Sequence, residues 1–357
     1  MPKSKSTKTN RFITLDYLRG FFITVIVIDH LSRWPSILAL ISGKALLWVT
    51  AAEGFVAISG LLIGYVRGFK NRDLPMKEVT GKILRRAVLL YAWSIIGSLA
   101  YTAIIWYVPL QGGAPGLPID RGDWITLILH TLTLQYTYVW VHFLTLYALF
   151  LAFAPLAVWF LRNGRAWIVA LLSIAGLITG YIIHNEALQW QVLFFIPSIA
   201  GYYLDSITKW WKDLTKKKRT LITASTIGLT VLTIATSVMC TFYPATIQPL
   251  ADFLNAGFAK ETISPWRAGM AFLWFTGFIM IFNLLGNFIG KFFGWLLLPF
   301  GTHSLTAYIL HGVAICVISY FTLSSENIII NSLLGVLSVL IVWGLIKIPL
   351  VRKVVPS

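Results

Sequence analysis

The stretch ITLDYLRGFFITVIVIDH, near the start of the chain, places Asp16, Arg19, Asp29 and His30 inside an otherwise apolar run. Ionisable groups within a membrane span are costly and read first as functional. An imidazole there can move a proton, a guanidinium can hold an anion, and a carboxylate can orient or neutralise either. Arg19 and His30 are eleven residues apart, which on a helix is three turns plus about 20°, so they share one face. The rise per residue separates them by roughly 16 Å along the axis. Asp16 lies three residues before Arg19, within pairing distance on a helix.

A second stretch, AAEGFVAISGLLIGY, carries Glu53 and Ser59 among small residues that allow close helix packing. Entered from outside, Glu53 lies about a third of the way into its span and could face the stretch between Arg19 and His30. The competing reading of Glu53 is a structural ion pair with Arg19. A third stretch, FGTHSLTAYILHGVA, holds His303 at its start and His311 deeper, beside Tyr308. These histidines are eight residues apart, about 80° from a shared face, so they are not a simple pair. His303 reads as interfacial. His142 follows the aromatic run YTYVW, and Trp266-Arg267 opens another span. Each reads as an interfacial anchor or as a contact for an acidic or sugar substrate. His130 and His184 have weaker claims. No HExxH, P-loop or GxSxG occurs, and Gly spacings such as GLLIG reflect helix packing rather than phosphate cradling. Cys240 and Cys316 sit in or at the ends of apolar runs with no metal-ligand spacing, so no metal is expected.

The elements that must position these residues are membrane helices. Of the 357 residues 57% are hydrophobic and 12% charged, where a soluble domain carries about 25% charged. The apolar residues come in long runs, Ile83 to Tyr107, Ala166 to Ile183, Leu221 to Met239, Ala268 to Leu285 and Ile328 to Ile346, each sufficient to cross a bilayer. They lack the period-2 alternation of barrel strands. The net charge of +16, from 29 Lys+Arg against 13 Asp+Glu, would suit nucleic-acid binding in a soluble chain. Here the cations sit in short loops, which is the positive-inside pattern, and no nucleic-acid partner is expected.

The expected fold class is all-α, a polytopic integral membrane helix bundle of about ten transmembrane helices plus one re-entrant or interfacial segment. Spans are placed near 12–33, 45–66, 83–107, 140–161, 166–184, 188–205, 220–242, 268–289, 302–323 and 328–347. A basic cytoplasmic tail (1–11) precedes the membrane domain (12–347), and a cytoplasmic tail (348–357) follows. The N-terminal span, with its charges, is expected to be retained rather than cleaved as a signal. The basic segments are the N-terminus, the 67–86 loop, Arg162/Arg165, the 209–219 run, Lys291 and the C-terminal tail. All of them fall on the cytoplasmic side only if 123–138, short and polar, does not cross. The partners implied are the bilayer of the plasma membrane and whatever the outer loops 108–139 and 243–267 receive. Trp124, Tyr136, Tyr138, Trp140 and Trp266 in these regions are candidates to stack on sugar rings.

LDYLRGFFITVIVIDH followed by EGFVAISGLLIGY resembles the opening of the acyltransferase-3 superfamily. The matching residues are Leu15, Asp16, Arg19, Gly20 and His30, then Ser59, Gly60, Leu61, Leu62 and Ile63. HFLTLYALFLAFAPL, EALQWQVLFFIPSIAGYY, SPWRAGMAFLWF and GTHSLTAYILH are similar to later segments of the OpgC-like branch, which succinylates periplasmic glucans. The chain departs from the wider superfamily at Leu144 to Tyr147, where many members carry a Glu before the Tyr. The resemblance implies transfer of an acetyl or succinyl group from cytoplasmic acyl-CoA, a donor substrate rather than a resident cofactor, to a hydroxyl of a cell-envelope glycan. In that reaction His30 is the general base, Asp29 or Glu53 orients it, Arg19 holds the donor and Asp16 fixes Arg19. Ser59, Tyr308, His311, His142, Trp266 and Arg267 line the substrate path. A transporter or flippase of an envelope glycan or lipid would also carry buried charges, but inverted repeats or paired broken helices are not evident. A non-catalytic membrane protein would tolerate substitution of Arg19 and His30.

Overall fold

The computed structural model describes residues 6–111, 116–259 and 262–355, with side chains from Ile13 onward. Lys3 and Lys5 of the basic tail and residues 112–115 of the Gly- and Pro-rich outer loop lie outside the described residues. The elements are helical throughout the described residues. They are α1 (Ser6–Leu31), α2 (Ala39–Ser42), α3 (Ala51–Leu62), α4 (Met76–Tyr107), α5 (Trp124–Leu132), α6 (His142–Arg162), α7 (Ala166–Ile182), α8 (Glu186–Trp190), α9 (Val192–Tyr202), α10 (Leu204–Asp213), α11 (Lys216–Phe242), α12 (Gln248–Gly257), α13 (Pro265–Leu284), α14 (Gly286–Phe292), α15 (Gly294–Thr302), α16 (Ser304–Phe321), α17 (Ile328–Lys347) and α18 (Pro349–Val354). α3 runs on into a π-helical stretch, Ile63–Lys70.

Among the described residues, seven helices are long and apolar enough to cross a membrane: Ala51–Lys70, Met76–Tyr107, His142–Arg162, Lys216–Phe242, Pro265–Leu284, Ser304–Phe321 and Ile328–Lys347. Each of the other three expected spans also contains helix. α1 covers the first, α7 covers 166–184 with 17 residues, and 188–205 divides into α8 and α9 at Gln191. α5 has nine residues, a length of roughly 14 Å, against a hydrocarbon core of about 30 Å.

Helix ends follow local chemistry. α1 stops at Leu31 because Ser32 adopts a positive φ of 53°, which ends a right-handed helix. The Ser32 hydroxyl donates to the Asp29 carbonyl 2.8 Å away. α3 starts at Ala51 rather than at 45 because Thr50 and Glu53 form a capping box. Gly43, Lys44 and Ala45 just before it all have positive φ.

The chain divides into two compact units, with α1, α4, α6 and α15 contributing residues to both. The first comprises Met1–Leu18, Ala45–Leu84 and Phe150–Gly294. Its centre is α3 against α9, packed backbone to backbone. A Cβ on Gly60 would collide with the Phe194 carbonyl, one on Gly64 with the Ser198 carbonyl, and one on Gly201 with the Leu61 carbonyl. In lipid such close approach substitutes for hydrophobic driving force. At one end of this unit the Arg162 guanidinium gathers the 67–74 loop, donating to the carbonyls of Leu74 (2.9 Å), Arg67 (2.7 Å) and Asn71 (2.5 Å).

The second unit comprises Arg19–Lys44, Arg85–Leu149 and Trp295–Ser357. Here α1 runs parallel to α15 and α16. Arg19 Nη1 donates to the Gly301 carbonyl at 3.2 Å, His30 meets His311 in the middle, and Arg33 donates to the Leu323 and Thr322 carbonyls at 2.9 and 3.0 Å at the far end. Gly20 lets the helices touch: a Cβ there would collide with the Leu297 carbonyl. α17 packs on α16, and Trp343 Nε1 donates to the Trp295 carbonyl at 3.0 Å.

Candidate functional site

In the second unit, α1 presents His30 and α16 presents His311 with Nδ1 of His30 2.7 Å from Nε2 of His311. The ring centroids are 4.8 Å apart and the planes tilted by 38°. His311 is fully buried, and its Nδ1 hydrogen-bonds to the carbonyl oxygen of Tyr308 one turn back. A carbonyl only accepts, so this Nδ1 carries the proton. Nε2 of a neutral His311 is therefore the acceptor, and His30 donates to it through Nδ1–H. His30 then carries its lone pair on Nε2. This is the tautomer a general base needs, and a proton arriving on Nε2 is stabilised by the hydrogen bond on the other side of the ring.

The dyad is held from a third side by α4. The Tyr101 hydroxyl donates to the Ile309 carbonyl at 2.5 Å, and its ring lies over Gly312, where a Cβ would strike it. Tyr138 and Trp140 back this ring, at centroid distances of 5.9 and 5.2 Å. The segment carrying them is tied to α4. The Tyr138 amide donates to Ser98 Oγ at 3.1 Å, and the Tyr136 hydroxyl and Thr102 Oγ1 are 2.8 Å apart. Burial pushes the Tyr138 phenol well above its ordinary pKa, with the Cys316 thiol and the phenols of Tyr136 and Tyr101 adding to the shift. Tyr138 and Trp140 are 2% and 3% exposed, so the expectation that they stack on sugar rings at the surface is corrected. They form the wall behind Tyr101. Trp124 and Trp266, at 41% and 73% exposed, remain open to contact.

The other expected residues fall as follows. Tyr308 is buried, supplies the carbonyl that fixes His311, and packs its ring against Phe143 at 5.8 Å. His142 is half-buried as the first residue of α6. Asp29 is half-buried and one residue before His30, about 100° round the helix; the Nδ1 of His30 lies 2.7 Å from His311 Nε2. Arg19 is half-buried at the Gly301 turn, and Asp16, also half-buried, precedes it on α1.

Glu53 and Arg267 form a separate buried centre in the first unit. Arg267 donates to Glu53 Oε1 from Nε at 2.9 Å and from Nη2 at 2.5 Å. Glu53 Oε2 accepts from the Thr50 amide at 3.0 Å and the Thr50 hydroxyl at 2.5 Å. Arg267 Nη1 donates to the carbonyls of Ala259 and Thr262 at 3.2 and 3.3 Å. Glu53 is 1% exposed and Arg267 2%. Glu53 thus finds its cation in Arg267 rather than Arg19, and Arg267 is engaged within the fold at every guanidinium nitrogen. Ser59 donates its hydroxyl to the Phe55 carbonyl of its own helix at 3.0 Å, beside the glycine contact with α9.

Two features were not legible beforehand: the role of Tyr101, which nothing in its own span distinguishes, and the pairing of His30 with His311 across 281 positions. No curated protein and no solved structure matches the chain. A family model described as OpgC protein matches residues 11–350, a stretch that contains every residue of both centres, and the chain therefore belongs to the OpgC family.

Proposed function

We propose that this protein is a membrane acyltransferase that moves an acyl group from cytoplasmic acyl-CoA to a hydroxyl of an extracytoplasmic envelope glycan, with His30 as general base. Family membership points to glycan-modifying acyl transfer. The observation that carries the finer reading is the ordered chain from the Tyr308 carbonyl through His311 to His30. His30 Nε2 takes the proton of the acceptor hydroxyl as its oxygen attacks the thioester carbonyl. The C–S bond breaks, the CoA thiolate takes the proton from Nε2–H, and the new ester leaves with the acceptor. His311 keeps His30 in the reactive tautomer through both transfers, the part a carboxylate plays in other histidine-based sites.

The proposed topology has ten crossings, both termini in the cytoplasm of a plasma-membrane protein, and α5 as a re-entrant or interfacial helix. Arg162 supports it. Its guanidinium holds the 67–74 loop, so the end of α6 and the start of α4 lie on one side of the first unit. Two crossings, α4 and α6, bring the chain back to that side; a third through α5 would not.

The reaction is tested by presenting the purified chain with acetyl-CoA or succinyl-CoA and an envelope glycan fraction, and following free thiol and glycan ester together. Stoichiometric release of thiol and formation of ester is expected. A wild type that consumes neither donor contradicts the reading.

A further inference from the structure

In the first unit α10 ends at Asp213 and α11 begins at Lys216. α11 is long and apolar enough to cross a membrane. α10, with ten residues, is roughly 15 Å long and cannot cross, so it lies where α11 meets the membrane surface. Its two sides differ. Ile207 and Trp210, three residues apart, share one face, and Lys209 and Lys212 share the opposite one. Ile207 is 42% exposed and Trp210 55%. The polar side is held to the first unit by Tyr65, whose hydroxyl donates to Asp205 Oδ1 at 3.4 Å. From Lys209 to Arg219 the chain carries six cations, Lys209, Lys212, Lys216, Lys217, Lys218 and Arg219, against one acid, Asp213. Among the described residues none of these six side chains has a hydrogen-bond, ion-pair or ring partner. Other cations of this unit are engaged: Lys70 and Arg72 lie over the rings of Tyr65 and Phe69 at 5.0 and 4.6 Å, and Lys291 over Phe292 at 5.4 Å. Lys216 to Arg219 are consecutive, and the first turn of α11 holds no acid, so their mutual repulsion is not relieved within the described chain.

We propose that α10 lies in the membrane interface with Ile207 and Trp210 at the acyl boundary, and that the cations from Lys209 to Arg219 bind the headgroups of anionic phospholipids. A helix with a tryptophan on its apolar face and lysines on the other is suited to that plane. A polybasic segment beside a span is attracted to an anionic leaflet, and the long lysine stems let each charge reach a headgroup while the helix stays at the boundary. The choice of lipid over a soluble polyanion comes from the apolar face. A soluble polyanion would neutralise the cations and leave Ile207 and Trp210 in water, whereas an anionic leaflet covers both. The site uses neither the histidine dyad nor the acyl donor, so it stands or falls apart from the reaction.

The test places the full chain in nanodiscs of phosphatidylcholine with a minor fraction of phosphatidylglycerol and reads, by native mass spectrometry, which lipids the released protein retains. The wild type should retain phosphatidylglycerol about fivefold above its bulk ratio, the equivalent of one cation at an anionic surface. With Lys216→Gln, Lys217→Gln, Lys218→Gln and Arg219→Gln combined, retention should fall to the bulk ratio, while Lys216→Arg, Lys217→Arg and Lys218→Arg combined should keep it. Lys209→Gln with Lys212→Gln, which leaves the cations flanking α11 in place, should also lower retention and carries the test if the fourfold variant inserts wrongly. An environment-sensitive fluorophore on Ile207→Cys, in a background lacking Cys240 and Cys316, should be quenched by phosphatidylcholine brominated in its acyl chains. The proposal is overturned if the wild type and the correctly inserted neutral variants retain phosphatidylglycerol alike, or if the label at position 207 is not quenched. It is also overturned if inorganic polyphosphate binds the wild type in neutral discs while phosphatidylglycerol is not enriched, for then the cations serve a soluble polyanion.

Discussion

His30 Nδ1 lies 2.7 Å from His311 Nε2, and the far nitrogen of His311 is fixed by the Tyr308 carbonyl. One backbone acceptor thus sets the protonation of two rings. His311→Ala should lower transfer on the order of 10²-fold, the lower end of what a positioned acid–base group contributes, with CoA affinity unchanged. His311→Gln, whose side-chain oxygen can accept from His30, should recover part of that loss. Equal activity in wild type and His311→Ala would remove the dyad from the mechanism.

The Glu53–Arg267 pair makes a stability prediction. Both side chains are almost wholly enclosed, so removing one leaves the other as an uncompensated buried charge. Arg267→Met should destabilise the protein by about 3–5 kcal/mol, and Glu53→Gln together with Arg267→Met should be less damaging than Arg267→Met alone. Thermal unfolding in detergent reads both. An Arg267→Met variant as stable as wild type would contradict the assignment.

Glycine positions divide sharply. Gly20 and Gly60 face partner backbone that a Cβ would strike, whereas nothing lies near a Cβ at Gly81 or Gly228. Ala at Gly20 or Gly60 should cost about 1–3 kcal/mol through forced separation of helices, and Gly20→Ala should also disturb Arg19 and His30. Ala at Gly81 or Gly228 should be neutral or mildly stabilising by helix propensity. A stability ranking of the four variants checks this, and similar values for all four would refute it.

Topology is open to a cysteine-accessibility experiment in a background lacking Cys240 and Cys316. Single cysteines at Arg72 and Arg165 should label from the cytoplasmic side only, with one at Trp124 labelling from outside. Labelling of position 165 from outside would make α5 a crossing helix.

The stripe of ionisable residues on α1 was legible because helical spacing alone puts Arg19 and His30 on one face. The 80° offset between His303 and His311 was equally legible, and together with the rise of about 12 Å between them it keeps His303 out of the dyad. Partners were harder to read. A carboxylate, Asp29 or Glu53, was the expected companion of His30, yet Glu53 is claimed by Arg267 at a separation of 214 positions and His30 by His311 at 281. Periodicity carries no information at that range. Exposure also misled at Tyr138 and Trp140. An aromatic-rich outer segment reads as a surface, and only the hydrogen bonds to Ser98 and Thr102 show it folded down on α4.

The central claim is that His30 moves the proton. The direct measurement is acyl transfer by His30→Ala in a variant that stays folded and binds CoA as the wild type does. Transfer should fall by about 10²–10⁴-fold, with CoA affinity within error of the wild-type value. Transfer retained in that variant would show that the proton leaves by another route and that the dyad serves only the fold.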